Sequence, residues 1–312
     1  MTQGSIPAAP VESEPTQVVF QERSWVARFF GRATPYLFLL PALLLVAGLQ
    51  LWPFLRTFYL SFTDSNGSNS PAFIGIDNYR ALFHDRVLSD AMTNTLLWVI
   101  GTLILPVGLG LLIAVLSFGL PGAAVYRLPF LLPYALSGTA IGVMWEFMLR
   151  SNGALNGVLE ALGLERFEHR WLLETPLNTW SMIMAATWQS VGVSVLLFLV
   201  GLQTIPRDPI EAARLDGAEG WRLFKDMTFP LVRPMTIVVV GISLVNSLKT
   251  FDIIWVMTQG GPYRSSETLA VMMYRETFLL FHHGYGAAIA VLLSVIVLTV
   301  SFFYLSRTLR SS

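Results

Sequence analysis

Long apolar runs alternate with short polar ones along this chain. Six of the runs are long enough to cross a membrane, at roughly 36–59, 93–118, 124–149, 177–201, 232–257 and 284–306. A backbone in lipid must satisfy its own hydrogen bonds, and the short alternating segments of a β-barrel are absent, so the pattern predicts an all-α integral membrane fold with six transmembrane helices. Between the third and fourth runs, Leu155, Val158, Leu159 and Leu162 recur at helical spacing, predicting an amphipathic helix packed against the span ends. No repeat of fixed period is present.

Composition strengthens this reading. The chain is 54% hydrophobic and 13% charged, with a mean hydropathy of +0.60. It has no cysteine, which removes disulfides, thiolate metal sites and cysteine nucleophiles. Net charge is zero, with no basic block for nucleic acid. Residues 1–33 read as a cytoplasmic tail, disordered at first. "SWVARFFGR" (24–32) then reads either as a helix lying at the inner interface or as the flank of the first span. Residues 34–312 form the transmembrane domain. With the N-terminus inside, eleven Lys and Arg fall on the inner side and eight on the outer, although the outer loops are longer. Both termini are then cytoplasmic.

One polar connection, residues 203–232, stands out. It holds "EAARLDGAEGWRLFKDMTFP" (Glu211–Pro230), which carries seven charges between two apolar runs. Asp208 is placed to cap a helix starting at Pro209, with Glu211 in its first turn. Ala212 and Ala213 present a small-residue face, and Gly217 permits a sharp turn. Trp221 and Phe224, at i,i+3, form an exposed aromatic pair on a second helix, which Pro230 is expected to end. This rigid two-helix element predicts a knob that docks a cytoplasmic partner.

The spacing Glu211-Ala212-Ala213, three residues, Gly217, nine residues, then Met227-Thr228-Phe229-Pro230 resembles the EAA loop of ATP-binding-cassette importer permeases. Met227 and Phe229 stand where that family carries Ile and Leu. "WPFLRTFYLSF" (52–62), "FIGIDNY" (73–79), "NTLLW" (94–98), "RLPFLLPYALSGTAIGVMWEFML" (127–149), "FDIIWVMTQGGP" (251–262) and "HGYGAAIA" (283–290) are similar, in order, to the carbohydrate-import branch of maltose and glycerol-phosphate type. The resemblance implies the type I importer permease fold with a cytoplasmic coupling helix–turn–helix, in a bacterial plasma (inner) membrane. It implies that Glu211, Ala212, Ala213, Gly217, Trp221, Phe224 and Pro230 engage an ATPase. The implied partners are a second permease subunit, an ATP-binding subunit dimer, an extracytoplasmic sugar-binding protein and membrane lipid. Neither of the two lysines, Lys225 and Lys249, sits in a Gly-Lys-Ser/Thr phosphate loop. The chain is therefore expected to bind no cofactor and to be no enzyme, with ATP and Mg held by the partner. No catalytic or metal site is expected.

Charges at membrane depth are costly unless they face protein or water. Asn246, Lys249 and Asp252 recur at steps of three on one helix stripe, where Lys249 and Asp252 are spaced to pair. With Trp255, Trp188, Gln189 and Glu146 they are candidates for a polar sugar path, the rings stacking on C–H faces and the polar groups binding hydroxyls. For the Lys249–Asp252 pair a structural role in helix packing is the alternative. For the whole protein the alternative is a secondary, proton-coupled sugar carrier with Glu146, Lys249 and Asp252 as relay. The sugar itself is not legible.

Overall fold

The computed structural model describes residues 25–68 and 70–309. The chain divides into two units after Leu55. The first described helix, α1 (Trp25–Val46), passes through a π-turn, Ala47–Leu51, into α2 (Trp52–Leu60). Its backbone is unbroken from Trp25 into the span. The expected disorder of the preceding tail lies outside the described residues. Pro53 stands two residues beyond the π-turn. A proline ring clashes with the carbonyl four residues back, and the wider turn relieves that clash.

After the end of α2, the second unit continues with a polar segment closed by an antiparallel bridge, Thr63 to Phe73, and a short helix, α3 (Asp77–His84). Asp85 then caps α4 (Arg86–Ser117), its carboxylate accepting from the Val87 N–H at 2.9 Å. The main pairing of the bundle is α4 against α8 (Leu177–Gln203). Small residues let these two backbones approach. A Cβ on Gly110 would lie 2.3 Å from the Ser194 Cβ, and one on Gly101 would lie 2.7 Å from Ile183. Trp98, Met182, Ile183 and Phe198 fill the space on either side and are fully buried. Gly110→Val therefore forces the helices apart. We expect a loss of about 1–3 kcal/mol, read as a lower midpoint of thermal unfolding in detergent; an unchanged midpoint would show that the crossing is not close.

Two of the expected spans are broken. The third consists of α5 (Ala123–Leu131), a 3₁₀ turn at Leu132–Ala135 and α6 (Gly138–Leu149). Its two arms, Ala123–Ala135 and Gly138–Ala161, are bent by 104°. Pro133 cannot donate to the helix ladder, and the Ser137 hydroxyl starts a new helix by accepting from the Ala140 N–H. The fifth expected span, 232–257, stops at Leu248 in α11 (Phe229–Leu248) and resumes as α12 (Asp252–Met257). Ser247 just before the gap and Thr250 within it donate their hydroxyls to the carbonyls of Leu244 and Asn246, a local bonding that competes with the helix. Among the described residues, five helices remain long and apolar enough to span, or six with the bent pair.

The amphipathic segment forms α7 (Ala154–Ala161), but its buried face differs from the expected stripe. Val158 and Leu162 are exposed, and Asn156 is buried instead. Its amide donates to the carbonyls of Ser151 and His169 and accepts from the Trp171 indole. A satisfied amide can be buried where hydropathy alone places it outside.

The last polar segment connects α12 through α13 (Leu269–Tyr274) and a π-turn, Arg275–Leu279, to α14 (His283–Leu309). A charged cluster locks it. Fully buried Glu267 receives a two-pronged contact from Arg264, at 2.7 and 2.8 Å, and lies 3.4 Å from Arg275. Glu276 bonds Arg264 and His282. The bond to Glu267 is the main reason the Arg264 guanidinium is held even more firmly protonated than usual. The Asn94 amide on α4 donates to the carbonyls of Ser265 and Glu267. The Asn178 amide on α8 donates to the Gly261 carbonyl and the Ser265 hydroxyl.

Candidate functional site

The charged connection begins with α9 (Arg207–Leu215), two residues before the expected start. Asp208 is not its cap. It lies in the first turn, where a carboxylate still complements the helix dipole. Pro209 is third in the helix, among the positions whose N–H has no intrahelical partner. Glu211 and Ala212 are exposed, and Ala213 is half-buried. The helix closes with an αL turn. Gly217, at φ +81°, donates to the Arg214 carbonyl at 3.0 Å, and Ala218 donates to that of Ala213 at 2.9 Å. Glycine is needed there for its backbone, since no atom lies within 4 Å of a Cβ at Gly217.

After the turn, α10 (Gly220–Leu223) carries Trp221, which is 73% exposed and packs tilted against Phe224 at 5.2 Å. Phe224 is half-buried rather than exposed. It meets Phe229 at 6.0 Å and lines a cavity of about 690 Å³ with Phe118, Leu202, Ile210 and Glu211. Pro230 does not end this helix. A π-turn at Phe224–Thr228, closed by the Phe229 N–H on the Phe224 carbonyl, carries the chain past it into α11. The ring is accommodated as at Pro53. One helix of 29 residues, Gly220–Leu248, results. The element is thus one free helix, a turn, and the first turns of a membrane span.

That span ends at a second cavity, of about 400 Å³, where both helix breaks meet. Irregular backbone at membrane depth is tolerated where it is buried in protein or lines a watery space. Asn246, Lys249, Asp252 and Gln189 all line the cavity, beside Tyr134, Ser190 and Thr250. The Gln189 amide donates to the Leu136 carbonyl at 2.8 Å, satisfying one group of the third-span break. A Cβ on Gly138 would lie 3.7 Å from Asp252 Oδ2 and 4.0 Å from Gln189 Oε1. The start of α6, the start of α12 and the middle of α8 therefore converge.

The other three candidates lie elsewhere. Glu146 is held by Arg150 at 2.8 and 3.0 Å, beside a separate cavity of about 430 Å³ that Arg170 and Pro262 also line. Trp188 packs edge-on against Trp145 at 5.9 Å in the central core. Trp255 stacks on Phe251 at 5.7 Å and meets Tyr274 at 4.8 Å. No ion pair joins Lys249 to Asp252 among the described residues, because the helix that would set them one turn apart is interrupted between them. Glu146 is not brought to them either, so the three do not form the relay of a proton-coupled carrier. The sequence reading missed Tyr134, Ser190 and Thr250. A common signal for them, the paired breaks around Leu136–Gly138 and Lys249–Phe251, exists only once both helices are seen to bend.

The comparisons with known proteins agree with this architecture. The family described as binding-protein-dependent transport system inner membrane component matches residues 106–311. A probable ABC transporter permease of Pyrococcus horikoshii is 35% identical over 280 residues, covering 87% of this chain and 94% of that protein. The sulfoquinovosyl glycerol transport system permease SmoG of Agrobacterium fabrum is 35% identical over 287 residues, covering 90% and 91%. A bacterial ABC transporter that imports the acidic polysaccharide alginate has a subunit superposing with a TM-score of 0.81 at 20% identity, over 91% of this chain and 98% of that one.

Proposed function

Because the chain belongs to the inner membrane component family of binding-protein-dependent transport systems, we propose that it is one permease subunit of an ATP-driven carbohydrate importer. It would line half of the translocation path, beside a second permease. An extracytoplasmic binding protein would deliver the sugar, and a pair of ATPase subunits would hold ATP and Mg. The supporting observation is the single helix Gly220–Leu248. It starts at the aromatic pair of the charged loop and ends, about 43 Å away, at the polar cavity. A displacement imposed at Trp221 and Phe224 reaches Asn246, Lys249 and Asp252 through one rod, which makes Glu211–Pro230 the grip for an ATPase. The excess of basic residues on that side supports a cytoplasmic placement of the loop and of both termini.

The cargo class rests on the relative named for a sulfoquinovosyl glycerol system and on the cavity's chemistry. The Asp252 carboxylate, the Lys249 ammonium and the Asn246 amide, without partners among the described residues, suit a polyhydroxylated ligand. In the reconstituted importer, Asp252→Asn should raise KM for the sugar about tenfold while ATPase co-purification stays intact, as expected for one hydrogen bond to a charged group. An unchanged KM would remove Asp252 from the path. ATP-independent, proton-driven uptake in vesicles lacking the ATPase would overturn the importer reading itself.

A further inference from the structure

We propose that the groove between α11 and α14, at the end of the bundle nearest the charged loop, binds the headgroup of an anionic phospholipid. The groove has a volume of about 710 Å³. Arg233, near the start of α11, and Arg307, in the last turn of α14, line it from opposite helices. Both are exposed, and among the described residues neither has a hydrogen bond or ion pair. Two free guanidinium forks on one groove suit a phosphodiester, which each can bind through paired N–H donors.

The rest of the wall identifies the ligand as a lipid. Ile237, Leu244 and Phe303 continue the groove along the span, and Leu244 lies about 16 Å deeper than Arg233. A free phosphate has no use for that apolar extension. An acidic peptide reaching so deep would leave backbone groups unsatisfied in hydrocarbon. A headgroup with an acyl chain fits both parts. The floor is built rather than incidental: the Tyr304 hydroxyl donates to the Ile237 carbonyl at 2.7 Å. The Tyr304 ring would lie 3.2 Å from a Cβ on Gly241, so a small residue there admits it. Basic pockets between membrane helices are a known form of anionic-lipid recognition.

The test uses the purified importer complex, delipidated and then exposed to phosphatidylglycerol or phosphatidylcholine, with bound lipid counted by native mass spectrometry. The wild type should retain phosphatidylglycerol preferentially. R233Q/R307Q should retain it roughly thirty-fold more weakly, the factor two basic residues contribute at an anionic surface. R233K/R307K should keep most of the preference, and R86Q, at the opposite end of the bundle, should keep all of it. Equal retention of the two lipids, or an unaffected double variant, overturns the proposal. So does displacement of phosphatidylglycerol by inorganic phosphate alone. Loss of the ATPase from R233E/R307E with lipid retention unchanged would assign the groove to a protein partner instead. None of these readouts depends on the cargo, so the lipid site and the sugar-import reading fail separately.

Discussion

Glu211→Lys should abolish coupled transport while leaving the membrane domain folded. Glu211 is exposed, makes no hydrogen bond or ion pair among the described residues, and borders the cavity between α9 and α10. Its removal costs the fold little, whereas reversing a charge inside a docked interface costs several kcal/mol. That corresponds to a loss of about a hundredfold or more in ATPase affinity. Gly217→Pro should act with it through geometry. Proline cannot adopt φ +81°, and it removes the N–H bonded to Arg214. Gly217→Ala costs only the left-handed strain of about 1–2 kcal/mol and should give a partial defect. Uptake in vesicles and ATPase co-purification are the two measurements. If both persist in Glu211→Lys and Gly217→Pro, the loop does not couple.

Glu267→Gln should be the most destabilising single change in the charged cluster. Glu267 is wholly buried and faces Arg264 and Arg275 together. Among the described residues, removing its charge leaves Arg264 paired with Glu276 and Arg275 with no paired carboxylate. Breaking a buried pair in this way costs about 3–5 kcal/mol, most of it the penalty of the uncompensated partner. The loss should appear as a lower thermal midpoint in detergent and as proteolysis within residues 258–268. The isosteric change removes charge without volume, so packing cannot be blamed. A midpoint equal to wild type would mean that water reaches the cluster and that it stabilises little.

Helix content, membrane placement and the positions of most spans were legible in the sequence, because apolar runs of that length have one outcome in lipid. The charged loop was legible for the same kind of local reason. A glycine at the turn and an alanine pair before it act over a few residues, and the αL turn at Gly217 sits where expected. Pro230 misled because proline is a local rule with a non-local exemption. A π-turn one step earlier admits the ring, and the span that follows keeps the helix in place.

The candidate path shows the limit most clearly. Asn246, Lys249, Asp252 and Gln189 were identifiable as costly polar groups at membrane depth, and they do meet. Glu146, Trp188 and Trp255 carried the same residue-type signal but have partners of their own in Arg150, Trp145 and Phe251. Whether a polar or aromatic side chain is free depends on neighbours distant in sequence, and hydropathy does not report them. The sequence by itself determined that this chain is a helical membrane protein with one stiff polar loop. Tertiary structure decided that two spans break, that their breaks face one cavity, and that the loop is fused to the helix leading there. Burial is set residue by residue along a helix, but convergence is a property of packing, where backbone carbonyls freed on one element are satisfied by side chains on another.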